Sequence, residues 1–180
     1  MAVEHKLIFT GPVGAGKSTA IASLSDRPVV ATDAMASDET RQRKSTTTVA
    51  MDYGVMRLDG GGQVHLYGTP GQERFDFMWD ILSQGGMGLV LLVDNARPDP
   101  LADLSLYVKR FRKLIDERNL VVGVTRMDVS RQVSLASYHQ QLDALGVKAP
   151  VFEVDARERA DVAVLVEALL YPQQVRMING

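Results

Sequence analysis

Cysteine is absent from the 180-residue sequence, which excludes disulfides and thiolate metal sites within the chain. A reducing compartment suits that composition, and the cytoplasm is the expected location. A large excess of either charge sign is missing as well. A formal net charge of -2, with no basic stripe at either end, gives no electrostatic footprint for nucleic acid or an anionic membrane. Long apolar runs are missing too: the opening MAVEHKLIFT carries charge inside a short hydrophobic stretch and enters a glycine loop at once, so no signal or spanning segment is expected. Position 2 is not the glycine that myristoylation needs, and Arg176 to Gly180 hold no cysteine for prenylation. No direct membrane anchor is expected; any attachment would pass through a partner. His5, His65 and His139 lie far apart without a ligand spacing, so no metal site is assigned to them.

With 46% hydrophobic and 23% charged residues, and no repeat or linker, residues 1–180 are expected to form one domain with a full core. Runs rich in β-branched residues alternate with helical patterns, the order of a mostly parallel sheet with helices on both faces. Six strands are expected, at Lys6–Thr10, from Val49 to about Val55, and at Gln63–Tyr67, Gly88–Asp94, Leu120–Thr125 and Val151–Val154. The second and third should pair as an antiparallel hairpin across Asp59-Gly60-Gly61-Gly62. A short helix should follow Ser18. Leu101, Leu104, Val108, Phe111 and Ile115 mark one helical stripe, Leu135, Tyr138, Leu142 and Leu145 another, and Val162–Leu170 a last helix. Pro28 to Thr47 is polar without a sustained period, which predicts a long loop of the kind that compact domains keep for function.

Gly11-x-x-x-x-Gly16-Lys17-Ser18 is the Walker A pattern, placed between an expected strand and an expected helix as its mechanism requires. Its glycines, Gly14 among them, let backbone N–H groups turn inward around phosphates, and the helix dipole adds to the attraction. Val13, Ala15 and Thr19 belong to the same wall. Lys17 is expected to reach the β- and γ-phosphates and Ser18 to ligate Mg²⁺. The fold class is therefore α/β, a three-layer P-loop NTPase fold with a six-stranded, mostly parallel sheet, one antiparallel hairpin strand, and helices on both faces.

The segments after the loop decide which kind of P-loop protein this is. Thr48-Val49-Ala50-Met51-Asp52-Tyr53 resembles the first switch threonine and following strand of Ras- and Rab-like small GTPases. Gly68-Thr69-Pro70-Gly71-Gln72-Glu73-Arg74-Phe75 is similar to their second switch, usually written DTAGQERF. Thr125-Arg126-Met127-Asp128 resembles the guanine-reading NKxD motif, and Asp155-Ala156-Arg157 stands where SAK would be. The GTPGQ form is similar to the bacterial Ras-like group that includes MglA and the GTPases encoded beside roadblock proteins. The resemblance implies GTP and GDP as ligands, Mg²⁺ held by Ser18 and Thr48, and a catalytic set of Lys17, Thr48 and Gln72. Gly71 would offer its N–H to the γ-phosphate and Gln72 would orient the attacking water. Asp128 would accept from the N1 and N2 donors of guanine, which adenine lacks, while the Ala156 N–H meets O6 and Arg157 lies beside it. A roadblock-type regulator and an unidentified effector are the implied partners.

Several positions depart from that pattern. Gly68 replaces the Walker B aspartate, so the usual carboxylate behind Mg²⁺ is missing from its place; Asp33, Asp52 and Asp94 are the nearby acidic candidates for it, with structural roles the alternative for the last two. Val13 stands where glycine is common, beside the γ-phosphate, and predicts slow hydrolysis. Thr125 replaces the asparagine whose amide ties the base loop to the phosphate loop, and Arg126 replaces lysine. Arg41, Arg43 and Arg74 are either internal arginine fingers or solvated loop charges. Phe75, Phe77, Met78, Trp79 and Ile81 are either core or an effector face. Three functions follow: a GTP-hydrolysing switch whose nucleotide state sets Pro28–Thr48 and Gly68–Asp80, an ATP-binding or ATP-hydrolysing P-loop protein, or a binding-only pseudo-GTPase adaptor.

Overall fold

The computed structural model describes residues 4–35, 48–69 and 87–171. Glu4–Thr10 forms β1, which pairs in parallel with β4 (Gln63–Gly68) on one side and β5 (Gly88–Asp94) on the other. Beyond β5 come β6 (Asn119–Thr125) and β7 (Val151–Glu153), both parallel. Beyond β4 the direction reverses: β3 (Thr48–Arg57) is antiparallel to β4, and β2 (Val30–Met35) is antiparallel to β3. Among the described residues, seven strands make one sheet in the order β2-β3-β4-β1-β5-β6-β7.

Alternation along the central strands feeds two cores. Leu7 and Phe9 of β1, with Val90 and Leu92 of β5, pack on one face against residues of α1 (Lys17–Leu24) and α5 (Arg159–Leu170). Ile8, with Leu89, Leu91 and Val93, packs on the other against α2 (Pro100–Arg110), α3 (Arg112–Glu117) and α4 (Leu135–Ala144). Every residue of β5 is buried, so both faces of the strand must be apolar and the run GLVLLVD shows no polar alternation. Helix starts are marked locally: Asp99 accepts from the Ala102 N–H at 3.1 Å, with proline opening α2, and Ser134 accepts from the Ser137 N–H at 3.2 Å.

The three-layer α/β fold and the β3–β4 hairpin are as expected, with two differences of detail. The polar stretch after Pro28 contains β2, a seventh strand at the sheet edge. Its backbone pairs residue by residue with β3, from Val30 opposite Tyr53 to Met35 opposite Thr48. Such an edge strand needs only one ladder of backbone hydrogen bonds, which leaves little signature in side-chain period. The helix expected across Leu101 to Ile115 is two helices, broken at Phe111 (φ -102, ψ 18), whose ring is buried and whose N–H still reaches the Tyr107 carbonyl at 3.0 Å. Among the described residues, no helix is long and apolar enough to cross a membrane.

Candidate functional site

β1 delivers the chain to the end of the sheet at Thr10, and α1 starts at Lys17. The turn between them works only with glycine at two points. Gly11 has φ 143, and a Cβ there would stand 2.1 Å from the Leu92 carbonyl oxygen. Gly16 has φ 101, and its Cβ would stand 2.9 Å from the Ala156 Cβ. The phosphate loop is thus pressed against β5 at one end and against the Asp155-Ala156-Arg157 turn at the other. Gly16 also caps α1 without a side-chain hydrogen bond, so the first N–H groups of the helix are left for a ligand, with the positive end of its dipole behind them.

Lys17 lies within this curve. Its Nζ donates to the Gly11 carbonyl at 2.5 Å and to the Pro12 carbonyl at 2.9 Å. Burial pushes its ammonium down to about 8, with the Asp52 charge opposing the shift and the Arg97 charge adding to it. Phosphate oxygens would be stronger, charge-assisted acceptors than these two carbonyls.

Beside Lys17, the Ser18 hydroxyl donates to the Asp52 carboxylate. Asp52, one of the three acidic candidates, lines the cleft. Asp94, another of the candidates, accepts from the Ala96 N–H at 2.8 Å and lies 3.7 Å from the Arg126 guanidinium. A hydroxyl and a carboxylate on the phosphate side of a cleft are oxygen donors of the kind a hard divalent cation takes. Mg²⁺ commonly needs only one or two protein oxygens when phosphates and water supply the rest. The residues therefore fit Mg²⁺, although the described residues contain no group of three or more His, Cys, Asp or Glu that could hold a metal by themselves. Bound there, the cation would neutralise phosphate charge.

On the opposite wall, Thr125 at the end of β6 is buried, and its hydroxyl donates to the Ala15 carbonyl at 2.9 Å. The tie expected to be lost with asparagine is therefore made by a hydroxyl. Arg126 follows in the left-handed region at φ 59, Met127 turns inward, and Asp128 stands exposed on the cleft wall. In the neighbouring turn, Arg157 pairs with Asp155 at 2.8 Å, and its hydrogen bonds hold the Asp155 carboxyl down to about 2. The Asp155 N–H donates to Asp161 at 2.9 Å.

A buried polar cluster that sequence reasoning did not anticipate holds the Asp128 segment from behind. Asn95 is fully buried, accepts from the Tyr138 hydroxyl at 2.6 Å and donates through Nδ2 to the Ser130 and Val133 carbonyls at 2.8 and 3.0 Å. The Gln132 amide donates to the Asn95 carbonyl at 2.8 Å. The only signal in sequence was an asparagine directly after an apolar strand.

These walls enclose a cleft of about 1010 Å³, lined by residues 13–19, 125–129 and 155–157 together with Asp52 and Thr69. Of the expected site residues, Val13, Gly14, Ala15, Gly16, Lys17, Ser18, Thr19, Thr125, Arg126, Asp128, Ala156 and Arg157 line it. Gly11 does not, and acts through the turn. Thr48 opens β3, its backbone paired opposite Met35. Gly71, Gln72, Arg41, Arg43, Arg74 and Trp79 lie outside the described residues.

A family model described as conserved hypothetical ATP binding protein matches residues 26–178. The chain belongs to that family. The match begins after the phosphate loop, so the loop and the family model are separate observations of the same kind of protein. Among curated proteins, Ras-related protein RabC of Dictyostelium discoideum is 23% identical over 99% of this chain and 88% of its own length. Ras-related protein Rab-3 of Caenorhabditis elegans is 28% identical over 69% of this chain, a match that spans 58% of that protein. An uncharacterized protein of Methanocaldococcus jannaschii, MJ1339, is 26% identical over 67% of this chain and 68% of its own. With the loop and cleft, these similarities identify a nucleotide-binding, GTPase-like P-loop protein.

Proposed function

We propose that the protein is a GTP-binding molecular switch that hydrolyses GTP slowly, residues 1–180 acting as one G domain. The reading rests on one observation above the rest: the wall bearing Lys17 and the wall bearing Asp128 face one cleft, linked by the Thr125–Ala15 hydrogen bond. A triphosphate at the first wall would put its base at the second, where a carboxylate is matched to guanine and has no paired donors to meet on adenine.

In this reading Lys17 and the free N–H groups of α1 hold the β- and γ-phosphates, and Ser18 and Thr48 face Mg²⁺. Gly71 senses the γ-phosphate and Gln72 positions water. Hydrolysis depends on placing and charge stabilisation, with intrinsic rates in related chemistry on the order of 10⁻⁴ s⁻¹. Val13, 57% exposed on the cleft lining, supports a rate at the slow end, since a branched side chain there competes for room with water or an incoming arginine. Loss of the γ-phosphate would release the segments around Thr48 and Gly71, and these are the surfaces a roadblock-type regulator and an effector would read.

Competition among GTP, ITP and ATP for a fluorescent GDP analogue tests the assignment. Ordered affinities of GTP, then ITP, then ATP are expected, because ITP lacks one donor to Asp128 and ATP lacks both. ATP bound more tightly than GTP would replace the reading with the ATP-binding one that the family description favours. Tight GTP binding without phosphate release, alone or with a partner, would leave a binding-only adaptor, the reading that Gly68 and Val13 favour.

A further inference from the structure

We infer that Asp52 supplies, from β3, the carboxylate behind Mg²⁺ that the end of β4 lacks at Gly68. The inference rests on the nucleotide-site reading above and assigns one further residue to it.

Asp52 and Gly68 are directly opposite across the antiparallel β3–β4 ladder. Opposed side chains on one face of such a pair have Cβ atoms only about 4.5–5.5 Å apart, so a function lost at one position can be met from the other. Gly68 is not held to glycine by its backbone, being absent from the positive-φ residues. A Cβ built there would stand 3.0 Å from the tip of the Ile21 side chain, which would have to give by a few tenths of an ångström, 3.4 Å from the Asp52 Cβ and 3.6 Å from its Oδ2. The Asp52 carboxylate thus borders the space that a Gly68 side chain would enter.

The second observation is the partner. Asp52 accepts from the hydroxyl of Ser18, the residue directly after the P-loop lysine. A hydroxyl has one proton and two lone pairs, so Ser18 can keep that bond to Asp52 while a lone pair faces a cation. The carboxylate would orient the hydroxyl and hold a water of the cation's own shell, as Mg²⁺ retains several waters when bound. Asp52 lines the same cleft as residues 13–19, and its charge is felt at Lys17.

The experiment measures release of fluorescent GDP and ADP from the full chain, with Mg²⁺ present and after chelation. Chelation is expected to accelerate release from the wild type. In Asp52→Asn, which keeps shape and an acceptor for Ser18, that acceleration should shrink by about tenfold or more, the scale of one lost charge-assisted contact. The double variant Asp52→Ala/Gly68→Asp, which moves the carboxylate across the ladder, should regain it, and Asp33→Asn should leave it unchanged. Thermal unfolding without nucleotide checks that each variant folds; should Asp52→Asn fail to fold, the double variant carries the test. A wild-type Mg²⁺ response in Asp52→Asn, or none in a folded double variant, overturns the assignment. A wild-type chain that binds nucleotide without any response to Mg²⁺ overturns the cation site, and one that binds neither GDP nor ADP overturns the nucleotide reading itself.

Discussion

The Thr125 hydroxyl donates to the Ala15 carbonyl at 2.9 Å, joining residues 110 positions apart and locking the base wall of the cleft to the phosphate wall. Both groups are buried, so Thr125→Val keeps the shape and leaves the Ala15 carbonyl without this donor. A cost of about 1–3 kcal/mol is expected in urea denaturation, with faster nucleotide release. Unchanged stability and release would mean that the two walls are held by packing alone.

Lys17 predicts opposite pH trends for folding and for binding. Its pKa in the folded chain is lowered to about 8 from 10.5, so between those values the unfolded chain binds more protons. This group therefore adds stability as pH rises from about 8 towards 10.5, and none of that gain is present below about 8. Bound phosphates favour the charged ammonium, so nucleotide binding takes up a proton once pH exceeds about 8, and affinity should fall there. Titration calorimetry in buffers of different ionisation enthalpy reads the proton directly; zero uptake at pH 9 would contradict it.

Gly11→Ala should be among the most damaging single-methyl changes in the chain. Its Cβ would meet the Leu92 carbonyl oxygen at 2.1 Å, against backbone and not against a flexible tip. Strain plus displacement should cost roughly 2 kcal/mol or more. Loss of both thermal stability and nucleotide binding is expected. Gly14→Ala has open space around its Cβ and pays only for its φ of 83, so it should cost less.

Tyr138→Phe removes the hydroxyl that donates to Asn95 at 2.6 Å inside the core. About 1–2 kcal/mol of stability should be lost. Asn95 also holds the Ser130 and Val133 carbonyls, so the loosening should reach Asp128 and narrow the preference for GTP over ITP. Hydrogen exchange over residues 126–133 reads the first effect and nucleotide competition the second.

Local signals made much of this molecule legible. β5 and β6 are continuous apolar runs, α1 follows a glycine loop, and α2 and α4 open on capping residues; each of these can be read within a few neighbours. What sequence did not disclose depends on pairing across distance. β2 exists because its backbone meets β3, a bond pattern that leaves no side-chain period. Asp52 could not be singled out from Asp33 and Asp94 because its register against Gly68 is fixed only when the hairpin closes. The break at Phe111 escaped because the apolar stripe continues from Val108 to Ile115 on both sides of it. Thr125 read as a lost amide, since nothing in sequence places Ala15 within reach of its hydroxyl.

Arg159, the first residue of α5, reaches back to the far end of α1, where its guanidinium donates to the Leu24 carbonyl at 3.1 Å and to Asp26 at 3.1 Å. Helix α1 therefore faces phosphate at one end and is clasped at the other by a residue made 135 positions later. On a ribosome, α1 would emerge well before Arg159 and wait for that clasp until the intervening strands and helices had followed. Nucleotide capture should accordingly be a late event of synthesis, and nascent chains stalled before Arg159 should retain labelled nucleotide poorly even though their phosphate loop is complete.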